Sequence, residues 1–310
     1  MTNELATIKH PAFDVAILAG QVRKSTQDKY LGKLNAYLAF AGSTEAALNP
    51  ATFAKWRTSM ATGKMSPNTI NLHLASVRSL LKEAASQGYN SSELAEQFKG
   101  VKGLKVSANR GRKNSHSRTA ISKTDMNRLI DAPDMGTPAG AMHRSLLLTL
   151  ATCGMRVSEA VSLKISDIQW ETNDGGAGWV AYVLGKNMER PEARPLAKQA
   201  KAAVDQWLAI RAGLGVQSEY VFTGFGGRGS RQPSAQPINR VSAWEIVQRY
   251  AKATDLAHVK PHDFRRYVGT QLAKKDIRLA QKQLGHKRIE TTAQHYVLDA
   301  VAVGTTDDLV

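Results

Sequence analysis

The chain has 310 residues, enough for one large domain or two of ordinary size with a sizeable core, which excludes a disulfide-stapled miniprotein. Lys and Arg number 42 against 26 Asp and Glu, a formal net charge of +16, on an ordinary hydrophobic fraction of 42%; the excess base belongs to a folded surface and calls for a polyanionic partner, nucleic acid first. The single cysteine, Cys153, excludes an intrachain disulfide and a cysteine-built zinc cluster and fits a reducing, cytoplasmic setting.

In chain order, residues 13–19 form a short apolar run interrupted by Asp14, too short to span a bilayer and a poor signal peptide, so no membrane role is expected. The first hundred residues carry helical periodicity. Tyr30, Leu34, Tyr37, Leu38 and Ala41 repeat near every 3.6 residues, with Ser25 or Thr26 expected as the N-cap. A short helix is expected over 52–60 and another over 91–98. Between them Ser66-Pro67 reads as a cap and first turn, followed by Ile70, Leu74, Val77 and Leu81 on one face and Asn71, Arg78 and Lys82 on the other. Residues 1–98 thus read as a small helical domain. Over 99–118 the period disappears, and Lys99, Lys102, Lys105, Arg110, Arg112, Lys113 and Arg118 occur with no acidic residue, the pattern of a basic interdomain linker that can also lie along a phosphate backbone.

Residues 119–310 read as a second, mixed domain. Ser122 and Asp125 mark a helix start, residues 143–152 a core helix ended by Gly154, and a further helix starts near Arg156. Strands are expected over 165–170 and 179–184 around an Asn-Asp-Gly-Gly turn, with a third ending at Arg194-Pro195-Leu196. Helices follow over 198–211, 241–253, 264–274 and from 278 to the end. The glycine-rich stretch 224–229 lacks the Lys-Ser/Thr of a phosphate loop and reads as an ordinary flexible loop. The expected fold class is mainly α with one small antiparallel β-sheet (α+β), in two domains.

Four segments gather ionisable residues beside glycines or helix starts: Cys153-Gly154-Met155-Arg156-Val157-Ser158-Glu159-Ala160, Gly185-Lys186, Pro261-His262-Asp263-Phe264-Arg265-Arg266, and Leu284-Gly285-His286 followed ten residues later by Tyr296. Taken singly, each suits a surface ion pair, a solvated turn or a packing residue as well as a functional group. Their order and spacing carry the meaning. Arg156, then Lys186 in a hairpin, His262-x-x-Arg265, Gly-His286 and a C-terminal Tyr296 together resemble the tyrosine recombinase (phage integrase) family. The stretches CGMRVSEAVSLKISDI and LGHKRIETTAQHY resemble the family's segments around its first arginine and its last motif, and the helical first half is similar to its core-binding domain. In many members the tyrosine lies nine residues after the Gly-His histidine; here that position is His295, and Tyr296 follows at ten, a change a helical connection absorbs.

The resemblance implies cleavage and rejoining of duplex DNA at specific sites through a 3′-phosphotyrosine at Tyr296, which keeps the bond energy without ATP. Arg156 and Arg265 suit bidentate contact with the nonbridging oxygens and offset transition-state charge. Lys186 is implied as general acid to the leaving 5′-oxygen, with His262 and His286 in support. Glu159 is read as orienting Arg156 or packing, and His258 and His295 as surface or supporting residues. The cationic set supplies the charge a metal would, so neither cofactor nor metal is expected. The resemblance further implies a homotetramer joining two DNA sites, accessory directionality or DNA-bending proteins, two domains clamping the duplex, and integration or excision of a mobile element. Tyr30, Arg78, Lys82 and the linker lysines are candidate DNA contacts. The competing readings are a type IB topoisomerase, which would relax supercoils without a defined site, and a noncatalytic DNA-binding relative.

Overall fold

A computed structural model describes residues 10–105, 121–173, 176–185, 188–226 and 232–296. The chain divides into two compact units, Met1–Arg118 and Thr119–Val310.

In the first unit, helices α1 (Lys24–Ala41), α2 (Thr44–Ala47), α3 (Pro50–Thr62), α4 (Pro67–Ser86) and α5 (Ser92–Gly100) enclose a core of Leu34, Tyr37, Phe53, Trp56, Ile70, Leu74 and Phe98. Ser66 caps α4 at Thr69 N as its sequence predicts. Helix α1 departs from expectation: it begins at Lys24 behind Arg23, with no side-chain cap, so Ser25 and Thr26 lie inside its first turn. The preceding turn is held instead by Gln27, whose amide donates to the carbonyls of Leu18 and Val22. Arg78 also departs from the exposed role expected of it. Its guanidinium lies 5.8 Å from the Phe53 ring centroid and its Nε donates to Phe98 O, while Asn71 exchanges two hydrogen bonds with Leu104. Both side chains fasten the chain around and beyond α5 to α4, and Lys82 remains exposed.

The second unit is mostly helical with two small antiparallel sheets. Helices α6 (Lys123–Asp131), α7 (Pro138–Cys153) and α8 (Val157–Val161) lead into strands β1 (Ile168–Asn173), β2 (Gly176–Val183) and β3 (Glu192–Pro195), then α9 (Lys198–Gly213). Helix α7 is buried on nearly every face because α6, α8, α9 and α11 (Pro261–Ala273) pack around it, which accounts for its unbroken apolar run. The sheet has the order β1-β2-β3, with Trp170 opposite Trp179 and Asn173 opposite Gly176. Strand β1 starts three residues later than predicted. Asp167 accepts a hydrogen bond from Lys164 N and holds Ile165–Asp167 in a 3-10 turn.

A second sheet, β4 (Thr223–Phe225) with β5 (Pro233–Pro237), was not predicted. Strand β4 runs into the glycine-rich stretch read as a loop, and β5, Pro-Ser-Ala-Gln-Pro, has no apolar alternation to announce it. Helix α10 (Arg240–Ala253) precedes α11. The single helix expected from 278 onward is two, α12 (Ile277–Leu284) and α13 (Ile289–Tyr296), parted at Gly285, whose φ of 61° is in the left-handed region. Among the described residues no helix is long and apolar enough to cross a membrane.

Candidate active site

The site is assembled where α7, α8, α11 and α12 end or begin. Helix α7 stops at Gly154 in left-handed conformation, φ 67°, and a β-carbon there would lie 3.0–3.1 Å from Leu284 and Val268 side-chain atoms. Two residues on, Arg156 is the N-cap of α8. The Glu159 carboxylate accepts from both the backbone N and the Nη1 of Arg156, each at 2.7 Å. One acid thus caps the helix and aims the arginine. The Glu159 side chain is 5% exposed and that of Arg156 35%, so the guanidinium is fixed at one end and open at the other.

Arg265 projects from α11 into the interior and is 2% exposed. Its Nη1 donates to Gly154 O at 2.8 Å and its Nη2 to Leu284 O, so the ends of α7 and α12 both hold it. Burial, then the nearby positive charge of Arg156, lowers its pKa, while Tyr296 and Glu159, including a hydrogen bond with Tyr296, work the other way. Arg265 stays cationic.

Its Nη2 also lies 3.2 Å from Nε2 of His286. A guanidinium only donates, so Nε2 is the acceptor and the ring proton sits on Nδ1, which donates to Thr292 Oγ1 at 2.9 Å. Tyr296, at the end of α13, is 3% exposed and stacks on His286 with centroids 5.5 Å apart and planes at 25°. Gly269 of α11 makes room for it: a β-carbon there would lie 2.3 Å from the Tyr296 ring. His262, in the first turn of α11, is exposed at the surface. Partial desolvation, then the cations Arg266 and Arg265, push its imidazole pKa down.

Arg156, His262 and Arg265 line one cleft of about 360 Å3, together with Met155, Pro261, Arg240 and Trp244. His286 lines a second, of about 500 Å3, between β3 and the end of α12. The structure therefore brings together five of the six predicted site residues through Arg265. Lys186 lies outside the described residues, as do residues 106–118 of the basic linker, the Asp174-Gly175 turn and residues 297–310.

Two residues that sequence reasoning did not single out complete the framework. Arg194 of β3, 3% exposed, donates to Lys282 O and to Glu192 Oε2. Its guanidinium occupies the space a side chain at residue 285 would need, which, with the positive φ, restricts that position to glycine. Gln283 donates to Cys153 O at 2.9 Å and Pro195 O at 3.0 Å. These side chains tie β3 and the end of α7 to the end of α12, just before His286. The only sequence signal was the Arg-Pro-Leu triplet, whose arginine faces inward in a strand too short to show alternation.

Chemically, the arrangement presents two guanidiniums on an open cleft, one aimed by a carboxylate and one locked by backbone carbonyls, with an imidazole and a phenol against the locked one. Such a pair suits a tetrahedral anion with a nucleophile beside it.

The profile of the phage integrase family matches residues 119–302, a stretch that holds every site residue named above. Tyrosine recombinase XerC of Salmonella typhi is 27% identical over 290 residues, 90% of this chain and 87% of its own. Tyrosine recombinase XerD of Neisseria meningitidis serogroup B is 30% identical over 179 residues, 56% of each chain. Among solved structures, a lambda integrase tetramer bound to a Holliday junction aligns with a TM-score of 0.63 and 19% identity over 91% of this chain and 74% of that one. XerH bound to palindromic difH in a post-cleavage complex aligns with 0.60 and 17% over 99% of each. At these identities the structural likeness establishes the fold, and the profile, matching more than half of the chain, establishes the kinship: the chain belongs to the phage integrase family and is a tyrosine recombinase.

Proposed function

We propose that the protein is a site-specific DNA recombinase that works through a 3′-phosphotyrosine at Tyr296. The observation carrying this reading is the convergence on Arg265: Arg156 and His262 share its cleft, and His286 and Tyr296 stand against its guanidinium. In the proposed reaction the scissile phosphate seats between Arg156 and Arg265. The Tyr296 oxygen attacks phosphorus in line with the 5′-oxygen, which departs with a proton from Lys186; a 5′-hydroxyl from the partner strand later reverses the step and releases the tyrosine. The two guanidiniums offset the charge of the pentacoordinate state. His286 and His262 hydrogen-bond the phosphate or accept the phenol proton.

Residues 1–98 and 119–310 would clamp the duplex, with the basic segment 99–118 along the backbone, and binding would weaken steeply with salt. The lambda integrase tetramer on its Holliday junction and the DNA-bound XerH support the reading of a homotetramer on two DNA sites. Integration or excision of a mobile element is the biological role we assign.

Nicked duplexes carrying a randomised cleavage region test the reading. After denaturation, mass spectrometry should find DNA joined to Tyr296, and Arg156→Ala or Tyr296→Phe should abolish the adduct. Salt-sensitive binding with no adduct from any duplex would instead favour a noncatalytic DNA-binding protein. Supercoil relaxation without sequence preference would favour topoisomerase-like action.

A further inference from the structure

The cleft that holds Arg156, His262 and Arg265 has a second character. One part is cationic, and another is apolar, formed by Met155, Pro261 and the ring of Trp244. Trp244 is 46% exposed, an unusual state for the largest apolar side chain, and Val241, one helical turn before it, is 63% exposed. The display is built in. Asn239 caps α10 by accepting from the N of Val241 and of Ser242, and Ala243, Ile246 and Val247 bury the opposite face, which leaves Val241 and Trp244 outward. Among the described residues no ring or cation stacks on Trp244, and its indole N–H has no protein acceptor.

Inorganic phosphate would need the guanidiniums alone. A phosphodiester within a strand brings an anionic group and, joined to it, the apolar face of a sugar and base, and the cleft offers a surface for each. At about 360 Å3 it falls within the ~300–1,000 Å3 of small-ligand sites, room for one such unit. We propose that Trp244 is a substrate-contacting residue, the platform for the nucleoside adjoining the phosphate held by Arg156 and Arg265. This rests on the recombinase reading of the cleft. Aromatic–base stacking tolerates any base, so Trp244 holds the nucleoside at the cut steady without dictating sequence.

The test uses the full-length protein and the nicked duplex that the randomised pool yields by covalent capture on Tyr296. Single-turnover adduct formation is measured for wild type, Trp244→Phe and Trp244→Ala, on that duplex and on versions with an abasic sugar on either side of the scissile phosphate. On one of the two abasic duplexes wild type should slow about five- to hundredfold. Trp244→Ala should lose the same factor on the intact duplex and nothing further on the abasic one, and Trp244→Phe should recover most of the rate. Wild-type speed from Trp244→Ala, losses that multiply, or wild-type indifference to both abasic sugars would overturn the proposal. The last comparison needs no variant and so survives misfolding of Trp244→Ala. Absence of any Tyr296 adduct from wild type would instead defeat the recombinase reading, and this proposal with it.

Discussion

Adding one methyl group at Gly269 tests the placement of Tyr296 more severely than removing the tyrosine does. A β-carbon at 269 would lie 2.3 and 2.6 Å from two Tyr296 ring carbons and 2.8 Å from a Leu284 methyl. Carbon atoms settle near 3.5 Å, so the ring must withdraw by about 1 Å. Two stability effects oppose each other in Gly269→Ala. Alanine gains about 1 kcal/mol over glycine inside a helix, and overpacking costs about 1–3 kcal/mol. The net loss is expected to be about 0–2 kcal/mol, readable as a small fall in the urea midpoint with an unchanged slope. The effect on chemistry is expected to be far larger, because misplacing a reacting group by about 1 Å costs on the order of a hundredfold in rate. Single-turnover adduct formation on the captured duplex should fall by about that factor while binding and its salt dependence stay at wild-type values. Wild-type cleavage by Gly269→Ala would show that the tyrosine reacts from somewhere other than its place against α11, and the reasoning that joins Tyr296 to Arg265 would fail.

Glu159→Gln should keep one hydrogen bond to Arg156 but lose the charge pairing, lowering stability by about 1–3 kcal/mol in urea titrations and slowing adduct formation by more than it weakens binding. Arg194→Met should preserve side-chain bulk but release Lys282 O and Glu192, and is expected to slow cleavage at least tenfold in the same assay, with Tyr296→Phe as the inactive control. Stability should also fall in acid because of His143. Burial, then Arg249, depresses its pKa to about 4, against about 6.5 in the unfolded chain, so between those values the unfolded state binds the proton and the folded state does not. Its contribution is complete above pH 6.5 and declines by up to about 3 kcal/mol toward pH 4. His143→Gln should flatten that limb of a urea-midpoint-against-pH curve.

The sequence showed most clearly those features whose cause is local. Ser66-Pro67 starts α4 and Gly154 ends α7 because capping and φ preference act within one turn. The mainly helical plan followed from periodicity. Strand β5 escaped notice because its pairing with β4, rather than its own residues, makes it a strand. The site divided in the same way. Arg156, His262, Arg265, His286 and Tyr296 stood out because side chains of those types keep a fixed order along the chain. Arg194, Gln283 and Gly269 did not, because each matters through a partner distant in sequence: Arg194 meets a carbonyl 88 residues away, and Gln283 one 130 residues away. Arg78 misled for a related reason, since only the folded unit reveals Phe98 O as its acceptor.

The hydrogen bond between Arg265 and Tyr296 has a consequence for the order of events. On the reading proposed above, the phenol and the incoming phosphate would both claim that guanidinium. Tyr296 is 3% exposed, so on that reading occupancy of Arg265 and uncovering of the phenol would be a single event.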